Sequence, residues 1–305
     1  MVPTILLVLA TALPAAETVP APRLPRTPIE RQYDLTYADY GREKLQLDLA
    51  RPKNGGPFPC VVCLHGGAWK MGSRKDLSEP FGEVSFGIPG ASLIEVLADR
   101  GFAAVSISYR LAPRAKFPAQ IMDAKTAIRF LRANAAGLKI DPQRIGALGF
   151  SAGGHLAALL GTAHNVPEFE GTLYPEHSSR VRCVVDFFGP TDLSLYCRTP
   201  GIEAAFFRPL LGALFRENPA IYKQASPLYH ITRDTPPFLL IHGTADLIVP
   251  VLHSELFHEK LRAMGVSSEL LPMPGKGHGW FGEDAVKATE AAVRFLNRHL
   301  QEPRP

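Results

Sequence analysis

A series of short, uninterrupted apolar runs constrains this chain more than any other feature. CVVCLHG (residues 60–66), FAAVSISY (102–109), IGALGF (145–150), VRCVVDFFG (181–189) and FLLIHG (238–243) are β-rich and bounded by Gly or Pro. A strand with one face in water alternates apolar and polar residues. Runs that do not alternate need both faces covered, as in a parallel sheet packed between helices. Helical patterns lie between these runs. FPAQIMDAKTAIRFLRANA places Ile121, Ala124, Ala127, Ile128 and Leu131 on one stripe, and VLHSELFHEKLRAMG places Leu252, Leu256 and Leu261 similarly before stopping at Gly265. A last helix is expected near residues 285–300. Alternating strands and helices imply a doubly wound α/β sheet with right-handed crossovers.

Composition narrows the class further. With 46% hydrophobic and 20% charged residues, the chain is globular, which excludes disorder, collagen-like repeats and coiled coil. A formal charge of +4 over 305 residues, with no block of like charges, argues against a nucleic-acid partner. Four cysteines do not make a disulfide framework in a chain of this length. Cys60 and Cys63 form C-x-x-C inside a strand, where i and i+3 point to opposite faces, so neither zinc nor a redox pair is expected there. Cys183 and Cys197 could bridge if the protein is exported.

The flanking segments read differently. Residues 2–13 are uncharged and apolar, too short to span a membrane but fitting the apolar core of a secretory signal, so residues 1–16 are expected to be a signal peptide and the protein exported, without stable membrane insertion. Residues 17–30 read as a Pro-rich linker, and residues 31–300 as the folded domain. YDLTYADY and KLQLDLARP alternate, as an antiparallel hairpin at a sheet edge would. Residues 193–225 are too long for a simple connection and carry aromatic residues at helical spacing, so a small helical cap over the carboxyl end of the sheet is expected. The last five residues should fray.

The chemistry concentrates in four loops. Gly149-Phe150-Ser151-Ala152-Gly153 follows a buried strand and opens a helix-forming segment, the setting of a G-x-S-x-G nucleophile elbow. Side chains at Gly149 and Gly153 would collide with neighbouring backbone, and the helix N-terminus favours developing negative charge. Upstream, His65-Gly66-Gly67-Ala68-Trp69 follows another buried strand. Glycines there let backbone N–H groups approach a substrate oxygen, so Gly66, Gly67 and Ala152 are candidates for an oxyanion hole. Asp246 follows the strand FLLIHG, and His278 sits in a Gly-rich loop after SSELLPM, giving the chain order Ser…Asp…His. Asp192, after VRCVVDFFG, is the competing acid, although its place in a turn suits it to accepting backbone N–H groups. His65 and His242 end buried strands and are expected to bond locally; His155 lies one turn into a helix; His253, His258 and His299 are expected on helix surfaces.

Together HGGAW, YRLAP (109–113), GFSAGGHLA, GPTDL (189–193), HGTADLIVP and PGKGHGW resemble the esterase/lipase branch of the α/β-hydrolase superfamily. The closest look is to bacterial carboxylesterases grouped with hormone-sensitive lipase and with bifunctional xylan/feruloyl esterases, over residues 33–300. The resemblance implies an α/β-hydrolase fold and a serine hydrolase of short-chain, carbohydrate or aryl esters. Ser151, Asp246 and His278 would form its triad, and Gly66 and Gly67 its oxyanion hole. Ala68 departs from the third glycine common in hormone-sensitive-lipase relatives, and HGG-x-W looks more like the feruloyl-esterase and kynurenine-formamidase groups. Amidase, formamidase or peptidase activity, acyl transfer to an alcohol, and a non-catalytic binding module on the same fold are the alternatives. No metal- or nucleotide-binding motif is present, so no cofactor is expected.

Overall fold

The computed structural model describes residues 27–80, 86–196 and 200–301. The expected signal segment, most of the linker and Cys197 lie outside them. Among the described residues eight strands form one sheet in the order β1-β2-β4-β3-β5-β6-β7-β8. They are β1 Ile29–Asp39, β2 Lys44–Pro52, β3 Phe58–Leu64, β4 Ala103–Ile107, β5 Ile140–Phe150, β6 Val184–Phe187, β7 Phe238–Gly243 and β8 Ser268–Met273. β2 runs antiparallel to both β1 and β4, and every other pairing is parallel. This is the α/β-hydrolase fold. The hairpin begins at Ile29, inside the segment expected to be linker, because Ile29 and Glu30 pair with Pro52 and Arg51.

The central strands are buried on both faces, which is why their sequences do not alternate. Val62, Val105, Ala147, Val184 and Leu240 point into one core, shared with helices Ala119–Ala133, Ala152–Thr162 and Leu252–Ala263. Val61, Cys63, Leu148, Val185 and Ile241 point into the other, shared with helices Leu93–Asp99 and Gly282–Leu296. Cys60 and Cys63 accordingly enter different cores, and Cys183 is a buried free thiol. Among the described residues no helix is long and apolar enough to cross a membrane.

Of the two expected helical stripes, one needs correction. The stripe on helix Ala119–Ala133 is fully buried at all five expected positions, but helix Leu252–Ala263 is rotated by about one residue. It buries His253, Ser254, Phe257 and Leu261, while Leu252 is 45% exposed. Polar partners set that face: His253 Nδ1 accepts from the backbone N–H of Thr191 and Asp192, and Ser254 Oγ bonds His242 Nδ1. His253 is therefore a core residue and not a surface one, and its burial pushes its pKa down to about 3. His258 and His299 are half-buried. Helix Leu93–Asp99, which the strand-and-loop pattern does not reveal, announces itself through a capping box between Ser92 and Glu95.

Among the described residues between β6 and β7 the chain makes helical turns at Leu193–Tyr196, Pro200–Ile202, Glu203–Phe207, Arg208–Leu211, Pro219–Gln224 and Pro227–His230. Glu203, buried within them, binds two of the segments together: its Oε1 accepts from Phe215 N–H at 2.6 Å and from Tyr222 O–H at 3.1 Å. Phe207, Leu210 and Tyr222 join the core on the elbow-helix side.

Candidate active site

The elbow holds Ser151 at φ 54°, ψ −118°, a conformation that costs a non-glycine residue energy and survives because its surroundings over-determine it. Ser151 N–H donates to Phe187 O at 2.8 Å, and its own carbonyl accepts from His155 N–H at 3.0 Å. The flanking glycines are obligatory. A Cβ at Gly149 would lie 2.1 Å from Gly153 O, and one at Gly153 2.1 Å from Leu64 O. The close approach at Gly153 seats the elbow helix on the end of β3.

The Ser151 hydroxyl lies 2.9 Å from His278 Nε2, and His278 Nδ1 lies 2.7 Å from Asp246 Oδ2. An ionised carboxylate only accepts, so Nδ1 carries the proton and Nε2 is left to accept from Ser151 O–H. Asp246 is 5% exposed. Burial pushes its carboxyl pKa up, yet hydrogen bonds from His242, His278 and Val249 N–H outweigh that and hold it well below the usual carboxylate range. Its Oδ1 accepts from Ile248 and Val249 N–H at 2.8 and 2.9 Å. His242, fully buried, flanks the same carboxylate at 3.4 Å while Nε2 bonds Val249 O. Asp192 faces elsewhere: its carboxylate accepts from Ser194 N–H and Oγ–H and from Tyr229 O–H, a turn-closing role.

The HGGAW loop packs directly on the elbow. A Cβ at Gly66 would sit 3.2 Å from Phe150 O and 3.5 Å from Ser151 Cβ, so the Gly66 backbone runs alongside the serine. Gly67 has φ +101°, and a side chain there would meet Met71 O at 2.2 Å. Ala68 and Trp69 follow at φ 52° and 58°, a left-handed turn rarely adopted by such residues. Sequence patterns miss what holds this turn. The Trp69 indole N–H donates to His155 Nδ1 at 3.2 Å, and His155 Nε2–H donates to Ala225 O at 2.7 Å. His155 must be neutral to do both, and burial pushes its pKa down to about 4. His65 stacks on Tyr109 with ring centroids 4.3 Å apart, and Tyr109 O–H donates to His65 O. Of the remaining motifs, YRLAP supplies Ala112 N–H to Trp69 O, and GPTDL supplies Gly189, whose position leaves no room for a Cβ beneath the elbow helix.

A cavity of about 240 Å³ opens at Ser151, between the HGGAW loop (Ala68, Trp69) and the helical turns after β6 (Tyr196, Phe206, Phe207). Among the described residues no group of three His, Cys, Asp or Glu side chains is placed to hold a metal ion.

Comparison with known proteins gives the family. The family profile described as BD-FAE matches residues 47–261. The chain belongs to the BD-FAE family. Esterase LipC of Mycobacterium tuberculosis is 35% identical over 270 residues, covering 85% of this chain and 64% of LipC. The same organism's probable carboxylic ester hydrolase LipM is 32% identical over 237 residues, covering 75% of this chain and 51% of LipM. This BD-FAE chain thus spans between half and two thirds of these curated relatives. Among solved structures, a truncated carbohydrate esterase from gut microbiota superposes with a TM-score of 0.76 at 28% identity, covering 93% of this chain and all of that one. A butyrate-bound thermophilic esterase from the Planctomycetes species Thermogutta terrifontis gives 0.71 at 30% identity, covering 88% and 93%.

Proposed function

We propose that this BD-FAE chain hydrolyses carboxylic esters, with Ser151 as nucleophile, His278 as general base and then acid, and Asp246 as the residue that orients and supports the imidazole. The observation that carries this reading is the unbroken hydrogen-bonded chain from Ser151 through His278 to Asp246, set on a strained elbow. In the mechanism, His278 Nε2 takes the Ser151 proton as Oγ attacks the ester carbonyl. The tetrahedral oxyanion is held by the N–H groups of Gly66, Gly67 and Ala152. His278 returns the proton to the departing alcohol, leaving Ser151 acylated, and water activated by the same imidazole releases the acid. Asp246, fixed by two backbone N–H groups, keeps the proton on Nδ1 and stabilises the imidazolium.

The relatives' printed names support esters over amides as substrates. A cavity of about 240 Å³ at Ser151 lies below the ~300–1,000 Å³ usual for drug-sized ligands, which supports short acyl groups. The apolar leader at residues 2–13 supports export.

Ser151→Ala tests the reading: turnover of short-chain esters should fall by about 10⁴-fold or more with the fold retained. A variant keeping a tenth of wild-type turnover overturns it. Sarin-phosphonylated esterase 2 of Thermogutta terrifontis, similar to this chain with a TM-score of 0.72 at 29% identity, suggests a second assay. An organophosphonate probe should label wild-type protein and not Ser151→Ala.

A further inference from the structure

A second cavity, of about 320 Å³, lies on the other core of the sheet: Leu77, Phe187, Phe188 and Ala288 line it, whereas Trp69, Ala152 and Phe207 of the acyl-sized cavity belong to the elbow-helix core. Its walls include the immediate chain neighbours of the reacting residues: Phe150 precedes Ser151, and Gly279 and Trp280 follow His278. Phe188, in its wall, also touches the imidazole. Its ring centroid is 4.8 Å from that of His278 and 5.3 Å from that of Trp280, both edge-on. Phe86 and Phe187 complete an aromatic box around Phe150 at 6.3 and 4.5 Å. Among the described residues the polar side chains in the lining are the Thr289 hydroxyl and the Asp76 carboxylate, whose Oδ2 is already taken by Ser73 N–H.

We propose that this aromatic cavity is the subsite for the alcohol half of the ester, and that it selects apolar, ring-bearing alcohols over carbohydrate. The inference rests on the ester-hydrolase reading above. The acyl carbonyl must present its oxygen to the Gly66 and Ala152 side, beside the smaller cavity. As the tetrahedral intermediate collapses, the bond from the carbonyl carbon to the alcohol oxygen breaks, the acyl group stays bonded to Ser151 Oγ, and the proton on His278 Nε2 passes to the departing oxygen. The departing group therefore lies on the imidazole side, where Phe188 joins the His278 ring to the aromatic box. An aryl ring entering it gains edge-on contacts of the kind these rings already make with one another. A sugar would lose its water partners, with Thr289 and Asp76 the polar side chains among the described residues to replace them.

The test uses three acetates that share one acyl group: benzyl acetate, 2-methoxyethyl acetate, whose alcohol is of similar acidity, and a monoacetylated glucose. Benzyl acetate should show kcat/KM about tenfold or more above 2-methoxyethyl acetate, with the sugar ester lowest. Ala285→Phe, which extends a ring into the cavity from helix Gly282–Leu296, should bring the benzyl to methoxyethyl ratio down to near one. The wild-type comparison stands even if that variant does not fold. Equal rates on the first two esters, a preference for the sugar ester, or a benzyl preference that persists in folded Ala285→Phe overturns the proposal while ester hydrolysis stands. Hydrolysis of none of the three overturns the ester-hydrolase reading itself.

Discussion

The elbow and the helical insertion after β6 both border Ser151, yet they are held by different means. At the elbow the critical contacts are backbone against backbone: Gly149 and Gly153 each leave about 2.1 Å for an absent Cβ, and Ser151 is tied at N–H and C=O. In the insertion they are side chains, with Glu203 bonding Phe215 and Tyr222, and Phe207 packing on Trp69 and Tyr196. Backbone-against-backbone geometry tolerates one residue type, so it leaves a short, readable motif. Side-chain packing tolerates many solutions, so it leaves only a composition. A family built this way can change what it binds by rewriting the insertion while its elbow stays constant.

The sharpest way to break that contrast is to add one methyl group to the elbow. Gly153→Ala should destabilise by more than about 4 kcal/mol, because backbone at Leu64 and His65 cannot move aside without unseating β3. Thermal unfolding and ester turnover measured together check this. A variant with a near-normal midpoint would show the elbow to be as forgiving as the insertion.

The two carboxylates extend the comparison to the loops. Asp246→Asn should lower kcat by on the order of 10²–10⁴-fold, since the imidazole loses its support and proper tautomer. Asp192→Asn, which perturbs only the turn to Ser194 and Tyr229, should stay within about tenfold and cost roughly 1 kcal/mol of stability. Measuring kcat beside the thermal midpoint separates them, and the reverse pattern would exchange their roles.

What could be read in advance follows the same division. Continuous strands, the hairpin, the stripe on helix Ala119–Ala133 and the elbow's glycines all express local rules: period, burial on two faces, absence of room for Cβ. Strand FLLIHG coincides with β7, whereas β5 starts at Ile140 instead of Ile145 because Ile140 pairs with Phe58 ahead of four more polar residues. Where long-range polar partners decide, periodicity misleads. His253 looks like a surface histidine until Thr191 and Asp192 supply two N–H groups to it. Likewise His155 gives no local sign that it joins Trp69 to Ala225, since those residues are far from it in sequence.

These buried histidines make the comparison sensitive to pH. In the native state His155 and His253 have pKa values pushed by burial to about 4 and about 3, below the ordinary 6.5. Between about pH 6.5 and pH 4 the unfolded chain therefore binds protons that the native state refuses, so stability falls as pH falls, by roughly 1.4 kcal/mol per unit for each histidine at most. His155→Gln, which keeps a donor for Ala225 and has no proton to gain, should lose stability at pH 7 but narrow its gap to wild type by pH 4.5. Midpoints recorded across that range test this. A gap that stays constant means His155 does not titrate with folding.

The smallest expected effect lies in the insertion itself. Glu203 Oε1 accepts from Phe215 N–H and Tyr222 O–H, and Glu203 is only 6% exposed. Glu203→Gln keeps an acceptor for both donors and gives up only the charge that strengthens the bonds, at a cost of about 1 kcal/mol. Glu203→Ala strands Phe215 N–H, at roughly 1–3 kcal/mol for a buried group left without a partner, while Tyr222 O–H keeps Ala213 O at 3.2 Å as acceptor. Neither change touches Ser151, His278 or Asp246, but both loosen the segment that carries Ile202, Phe206 and Phe207 into the cavity at Ser151. Acyl binding should therefore weaken before chemistry does. In Glu203→Ala, KM for a butyrate ester should rise severalfold with kcat within about threefold, and Glu203→Gln should fall between it and wild type. If kcat drops while KM holds, the insertion helps align the reacting groups, and the division between a rigid elbow and an adaptable cover is drawn in the wrong place.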